Sequence, residues 1–323
     1  MLADFSGLVS DMGMGGCHRK GAIVRLCAKG GAGAENTVHG SAILAASLPS
    51  RQGANMNRYR HTLPALLMFV GMTAHANQDC YEMDIVLKAQ LQALEEVAFP
   101  YAGDGVKNNR LNAEIKSFLK ANANNDTWEC AFPLASRKLN IFTSEDKKFR
   151  AYAWDDQQGG TMRYFGGLWQ YRDDAGNTHI MDAHPEAEEP ERWGNSGFVK
   201  ALYTARLGEK GTAYWLIEVH PASSKITIST AIWLHIVNNK LEYAYLIDFD
   251  GRYGHEFRLD YDYFSIVENP VFYSKVPDFS YNDNRKEMRV PIVDYNDSRY
   301  SDGRMTDKEE IWRFNGQYFV PNE

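Results

Sequence analysis

Histidine, aspartate and glutamate converge in His179-Ile-Met-Asp182-Ala-His184-Pro-Glu186, with Glu188, Glu189 and Glu191 just beyond. Carried on one loop, His179, Asp182, His184 and Glu186 could face a single divalent ion, because imidazole and carboxylate together suit zinc or a similar metal. The spacing matches no named zinc motif, and a Glu-rich stretch between strands is ordinarily a solvated loop. A second set of carboxylates runs from Asp248-Phe-Asp250-Gly251 to Asp260-Tyr-Asp262. Alternation along a strand places Asp248 with Asp250, and Asp260 with Asp262, on common faces. Paired carboxylates are what glycoside hydrolysis needs for an acid and a base or nucleophile. An antiparallel sheet with one wet face gives the same pattern without any chemistry.

Other catalytic signatures are weak. Ser223, Ser224 and Ser229 lack the G-x-S-x-G elbow of hydrolases. His220 and His235 lie in apolar strands among Trp215, Ile217, Val219, Trp233 and Leu234, the setting of structural side chains. The stretch 294–310, DYNDSRYSDGRMTDKEE, holds oxygen ligands but not the register of a calcium-binding EF-hand loop. The glycine clusters at 13–16 and 30–36 fit neither G-x-G-x-x-G nor the P-loop. No cofactor is expected.

The elements that must position these residues fall into two languages. Met83, Val86, Leu87, Leu91, Leu94 and Val97 recur at spacings of three and four, and Leu111, Ile115, Phe118 and Leu119 follow after a turn-rich loop. That periodicity predicts a helical hairpin over 77–127. From 128 to 323 the chain reads as short strands rich in aromatic and β-branched residues, joined by tight connectors. Predicted strands include Lys148 to Trp154, Ala213 to His220, Lys225 to Val237, Leu241 to Phe249, Glu256 to Ile266 and Val271 to Lys275. Asn315-Gly316 carries a type I′ hairpin signature. The expected fold is mainly β within an α+β class: an N-terminal helical hairpin and an antiparallel meander forming a sandwich, a partial barrel or a propeller-like body.

An export signal is legible inside the chain at Met56 to Ala76. Arg58 and Arg60 form a basic head, Leu63 to Met72 an apolar run, and Ala74-His75-Ala76 a small-x-small cleavage pattern. Cleavage would leave Asn77 as the first residue, with no membrane span in the mature form, since about ten apolar residues cover only half of a bilayer core. Residues 1–55 are Gly-rich and aperiodic, read as an unstructured leader or as sequence upstream of the true start. Only Cys80 and Cys130 remain after the cut, and in an oxidising compartment such a pair is most simply a disulfide closing the hairpin.

Residues 1–76 carry seven of the 35 basic and three of the 42 acidic residues, so Asn77 to Glu323 has 28 against 39, a formal charge of −11. Such a surface repels phosphate backbones and excludes a nucleic-acid partner. All seven Trp, 17 of 18 Tyr and 14 of 16 Phe also lie after Ala76. Many must line the core, but the stretches 161–174 and 260–275 carry aromatics on both strand faces, so some should reach the surface beside carboxylates, where they suit a protein interface or a sugar ring. The sequence therefore leads to an exported periplasmic or secreted protein of bacterial type that binds without catalysis. Its expected partner is a protein, as for an inhibitor or immunity factor, or a cell-envelope glycan. The alternative is an envelope hydrolase using one of the two carboxylate sets. Expression from Met1 in a bacterial host is expected to give a periplasmic species beginning at Asn77. Intact-mass measurement finding residues 1–76 retained in soluble cytosol would remove the export reading.

Overall fold

The computed structural model describes residues 68–98, 105–125, 127–158, 162–185, 197–273 and 276–322. Helix α1 spans Met68–Ala98 and α2 spans Gly105–Asn122. Met83, Leu87, Leu91 and Leu94 line the buried stripe of α1 and meet Ile115 and Leu119 of α2 in one apolar cluster. The backbone of α1 starts upstream of the hairpin expected over 77–127, so the anticipated cut after Ala76 falls within it; residues 56–67 lie outside the described residues. Cys80 and Cys130 form the expected disulfide, with Cα atoms 5.4 Å apart. The buried Asp84 adds a polar tie, accepting the backbone N–H groups of Leu134 at 2.8 Å and Ala135 at 2.9 Å. Among the described residues no helix is long and apolar enough to cross a membrane.

A helix-facing sheet follows, in the order β1 (Leu139–Thr143), β2 (Phe149–Asp155), β3 (Phe165–Arg172), β4 (Thr178–Asp182), all antiparallel. Strict alternation assigns its two faces. Tyr152, Trp154 and Leu168 turn toward the helices, while Phe149, Ala151, Ala153, Trp169 and Tyr171 turn the other way. Gly166 lies opposite Trp154 in the ladder, and a Cβ there would come within 2.3 Å of the indole, so glycine is what lets Trp154 lie flat on its neighbour. The indole N–H then donates to Asn112 Oδ1 at 2.9 Å, docking α2 onto β2.

Next comes a central sheet of β5 (Phe198–Arg206), β6 (Thr212–Pro221), β7 (Ile226–Val237) and β11 (Glu256–Asp262), in the order β11-β7-β6-β5; β8 (Lys240–Tyr243) also pairs with β7. Its strands are apolar on both sides, as in Ala213-Tyr-Trp-Leu-Ile, and both faces are covered. Tyr214, Leu216, Ile232 and Leu234 pack on the helix-facing sheet. Ala213, Trp215, Ile217, Trp233, Phe257 and Leu259 pack on the third, outer sheet. That sheet contains β9 (Ile247–Phe249), β10 (Arg252–Gly254), β12 (Ser280–Asn282), β13 (Glu287–Asp294), β14 (Arg304–Phe314) and β15 (Phe319–Pro321), in the order β10-β9-β15-β14-β13-β12. The β part is thus three stacked sheets, with the helical hairpin as a fourth layer.

The fold is mainly β within α+β, as expected, but it is not a simple meander. After β8 the chain passes to the outer sheet for β9 and β10, returns to the central sheet for β11, and leaves again, and β15 pairs with β9 in parallel. The single strand expected over Leu241 to Phe249 is therefore two strands in different sheets. In place of the strand expected over Val271 to Lys275, a 3₁₀ turn covers Pro270–Tyr273, and 274–275 lie outside the described residues; the short helix α3 (Phe264–Val267) ends the run expected to reach Ile266. The type I′ turns are at Asn238-Asn239 and Asp250-Gly251, where both central residues have positive φ and two-residue loops join the strands. Asn315-Gly316 belongs instead to a four-residue loop between Phe314 and Phe319, in which Asn315 Oδ1 accepts the N–H groups of Gln317 and Tyr318.

Replacing both cysteines, Cys80→Ser with Cys130→Ser, is expected to lower the unfolding free energy by about 4 kcal/mol, the loop-closure entropy of about fifty residues. Urea unfolding of the natively oxidised protein and the double variant measures this, and a loss below about 1 kcal/mol would assign the helix attachment to Asp84 and apolar packing alone.

Candidate functional site

The structure disperses the 179–186 set. His179 and Asp182 stand three residues apart on β4 and so point to opposite faces. His179 stacks on Tyr171, ring centroids 4.9 Å apart, and bonds Asp173 at 2.8 Å. Hydrogen bonds from His179 and Asn177 hold the Asp173 carboxyl down to about 2. Asp182 turns to α2 and pairs with Lys116 at 3.1 Å and with Lys120. His184 lies past the strand end at φ 52° and reaches Glu218 in the central sheet. Glu186 lies outside the described residues. The three described residues share no partner, and among the described residues no group of three or more His, Cys, Asp or Glu is placed to hold a metal ion.

The second set also separates. Asp248 is on β9 of the outer sheet, and Asp250 sits in the following turn at φ 54°, so the shared strand face expected for them ends at the turn. Asp248 Oδ1 accepts the Gly251 N–H at 2.6 Å. Asp260 and Asp262 do share a face of β11, but in the central sheet. Asp260 pairs with Arg258 at 3.0 Å, and the buried Asp262 pairs with Lys225 at 3.2 Å. Two sheets therefore divide the four carboxylates.

What the fold does assemble is a cluster drawing one residue from each set. On the helix-facing side of the central sheet the apolar rows Tyr214/Leu234 and Leu216/Ile232 give way, one ladder step on, to Glu218 opposite Thr230 and then Arg258, and next to His220 opposite Ile228 and then Asp260. Glu218 is buried at 3% exposure, and an isolated carboxylate there is costly unless donors surround it. Its Oε2 receives His184 Nε2 at 2.7 Å and the Gly197 N–H at 3.4 Å. Gly197 permits this approach, since a Cβ would lie 2.9 Å from Glu218 Cβ. The imidazole of His184 packs edge-on to Trp169 at 4.8 Å. Trp169 contacts Tyr243 at 6.2 Å, Tyr243 contacts His255 at 4.4 Å, and His255 contacts the half-exposed Tyr245 at 5.0 Å. An aromatic row thus runs from the surface to the partly exposed His184 and its buried partner Glu218.

Electrostatics divide the two histidines. Burial alone would lower His184, but the Glu218 carboxylate, through its charge and hydrogen bond and with help from Glu256, outweighs this and raises it above 6.5. His220 is lowered, chiefly by burial, with Arg258 and His184 adding to the effect against Glu218 and Asp260. Two imidazoles shifted in opposite directions around one carboxylate can hold or move a proton. Elsewhere, burial pushes Asp156 up to about 6 where β2 meets α2. Sequence reasoning set His220 aside as structural and passed over Glu218. The available signal was a lone carboxylate inside the apolar run Ala213-Tyr-Trp-Leu-Ile-Glu218-Val.

No protein-family model, curated protein or solved structure matches this chain. Because the folded value of His184 is raised, its stabilising effect is complete below 6.5 and is lost as pH rises through that folded value. His220 works in the opposite sense: its contribution is present above 6.5 and is lost as pH falls through its depressed value. Imidazole NMR titration is expected to place His184 above 6.5 and His220 below it, with Glu218→Gln moving His184 below 6.5 because burial remains. His184 still titrating above 6.5 in that variant would show that Glu218 is not the cause.

Proposed function

We propose that the chain is an exported periplasmic or secreted protein of bacterial type that works as a non-enzymatic binding module for a cell-envelope partner. That partner is a glycan or a protein of the kind bound by inhibitor or immunity factors. The observation that carries this reading is how the chemically capable carboxylates are used. Asp182, Asp260 and Asp262 are spent in ion pairs and Asp248 closes a turn, while large aromatics stand in solvent on regular strands and tight turns. Tyr253, on β10, is 48% exposed, and Tyr245, two residues before β9, is 51% exposed. Rigid, half-exposed tyrosines lose little entropy on contact and are favoured at recognition surfaces. The disulfide and the lack of a membrane-spanning helix among the described residues are compatible with an extracytoplasmic setting.

The His184–Glu218 pair favours a second reading, an envelope hydrolase in which His184 moves a proton at the end of the aromatic row. The two readings separate in one experiment. Immobilised mature protein is expected to retain an envelope component that is recovered chemically unchanged on elution, the mark of binding without turnover. Cleavage of purified envelope polymer by the protein, abolished in His184→Ala with the fold intact, would establish the hydrolase and overturn the binding module.

A further inference from the structure

We infer that the edge of the outer sheet formed by β9, β10 and the β14–β15 loop is a sugar-binding platform for a neutral pyranose chain; this rests on the binding-module reading and names its ligand class. Ile247 and Phe249 turn into the core, so Asp248 between them faces outward. Tyr253 is the ladder partner of Asp248 and shares its face. Phe319 pairs with Ile247 and also enters the core, which sets Tyr318, the residue before it, against Tyr253. The two phenol rings stack with centroids 4.4 Å apart and planes 26° apart. The ammonium of Lys210 lies 5.5 Å from the centroid of Tyr318. A ring stacked at 4.4 Å leaves no room for a cation on that side, so Lys210 takes the far face of Tyr318, and the open face of the column belongs to Tyr253.

Three features make this a recognition surface and not a fragment of core. Tyr253 is 48% exposed although one of its faces is covered by Tyr318. The hairpin carrying it is pinned by a two-residue turn with Asp250 at φ 54° and Gly251 at φ 83°, and by Gly254, where a Cβ would lie 2.6 Å from the Phe249 ring. Asp248 uses Oδ1 on the Gly251 N–H, and its second oxygen makes no hydrogen bond among the described residues. A flat aromatic face beside an available carboxylate oxygen matches a pyranose: the electropositive C–H face covers the ring, and the sugar hydroxyls donate to the carboxylate. The same carboxylate, on a chain of formal charge −11 after Ala76, disfavours uronic or phosphorylated sugars. A neutral polymer of hexoses or N-acetylhexosamines fits best.

The test uses the mature protein with two probes, the N-acetylglucosamine tetramer and cellotetraose, followed by calorimetry and by NMR of the tyrosine rings. At least one probe is expected to bind and to shift the Tyr253 and Tyr318 resonances. Tyr253→Ala is expected to weaken binding by about tenfold or more, and Tyr253→Phe, which keeps the stacking face, by less than about threefold. Asp248→Asn, which can still accept the turn N–H, is expected to weaken it by a smaller factor than Tyr253→Ala. Binding that Tyr253→Ala leaves intact overturns the platform. If neither tetramer binds while an envelope protein is retained equally by wild type and Tyr253→Ala, the glycan assignment falls and the binding module stands. If nothing from the envelope is retained either, both fall.

Discussion

Everything in the β part depends on the two-sided burial of the β6–β7 ribbon. Trp215 and Trp233 are direct ladder partners and stack at 5.5 Å, and Trp233 stacks in turn on Phe319 of the outer sheet at 5.0 Å. Three flat rings in one column join two sheets with close-packed apolar area, and the Trp233 indole N–H is aimed at the Met288 sulfur 3.3 Å away. On the opposite face the same strands present Tyr214, Leu216, Ile232 and Leu234 to the helix-facing sheet. On a ribbon covered on both sides Trp215 Nε1 and Ser229 Oγ are buried without a hydrogen-bond partner, but a carboxylate is far costlier to leave so, and the one that occurs, Glu218, needs its partners within the fold.

That requirement explains the character of the candidate site. Glu218 sits where the apolar rows of the central sheet end, in a place too buried for water to satisfy a carboxylate. It is satisfied by residues on both sides of the 185–196 stretch, His184 before it and Gly197 after it. The raised His184 and lowered His220 follow from one cause acting on two geometries: burial disfavours both imidazolium ions, and only His184 has a carboxylate in direct contact. The outer sheet edge obeys a different rule. There the strands are three residues long and solvent reaches one face, so exposed tyrosines cost little to keep and remain available for contact.

The helical layer is attached by covalent and polar ties as well as by packing. The disulfide and Asp84 hold α1 to the 127–138 segment from one side. From the other side the buried Arg150 of β2 donates to the carbonyls of Trp128 and Cys130, with its guanidinium between the Phe132 and Tyr152 rings. Clamping that segment fixes the helix-side face of the sheet that carries Trp169, and Trp169 on the other face sets the edge of the His184 site. A scaffold function for the hairpin is therefore connected to the site through a single strand layer.

The sequence alone determined what local chemistry controls. Spacings of three and four gave the two helices, the last pair of cysteines gave the disulfide, and apolar alternation gave most of the longer strands, because side-chain periodicity is a property of the backbone conformation itself. It also placed Asp260 and Asp262 correctly on one face of β11. Only the tertiary structure decided which sheet each strand joins, since alternation says which way a side chain points but not what lies opposite. For that reason His179, Asp182 and His184, within six residues of one another, ended with partners in three separate places. By the same logic His184 met Glu218 from 34 positions away, and Tyr318 met Tyr253 across the seam between β9 and β15. Nearness along the chain is cheap to read, but a buried charge or a stacked ring is held by whatever the folded layers bring against it.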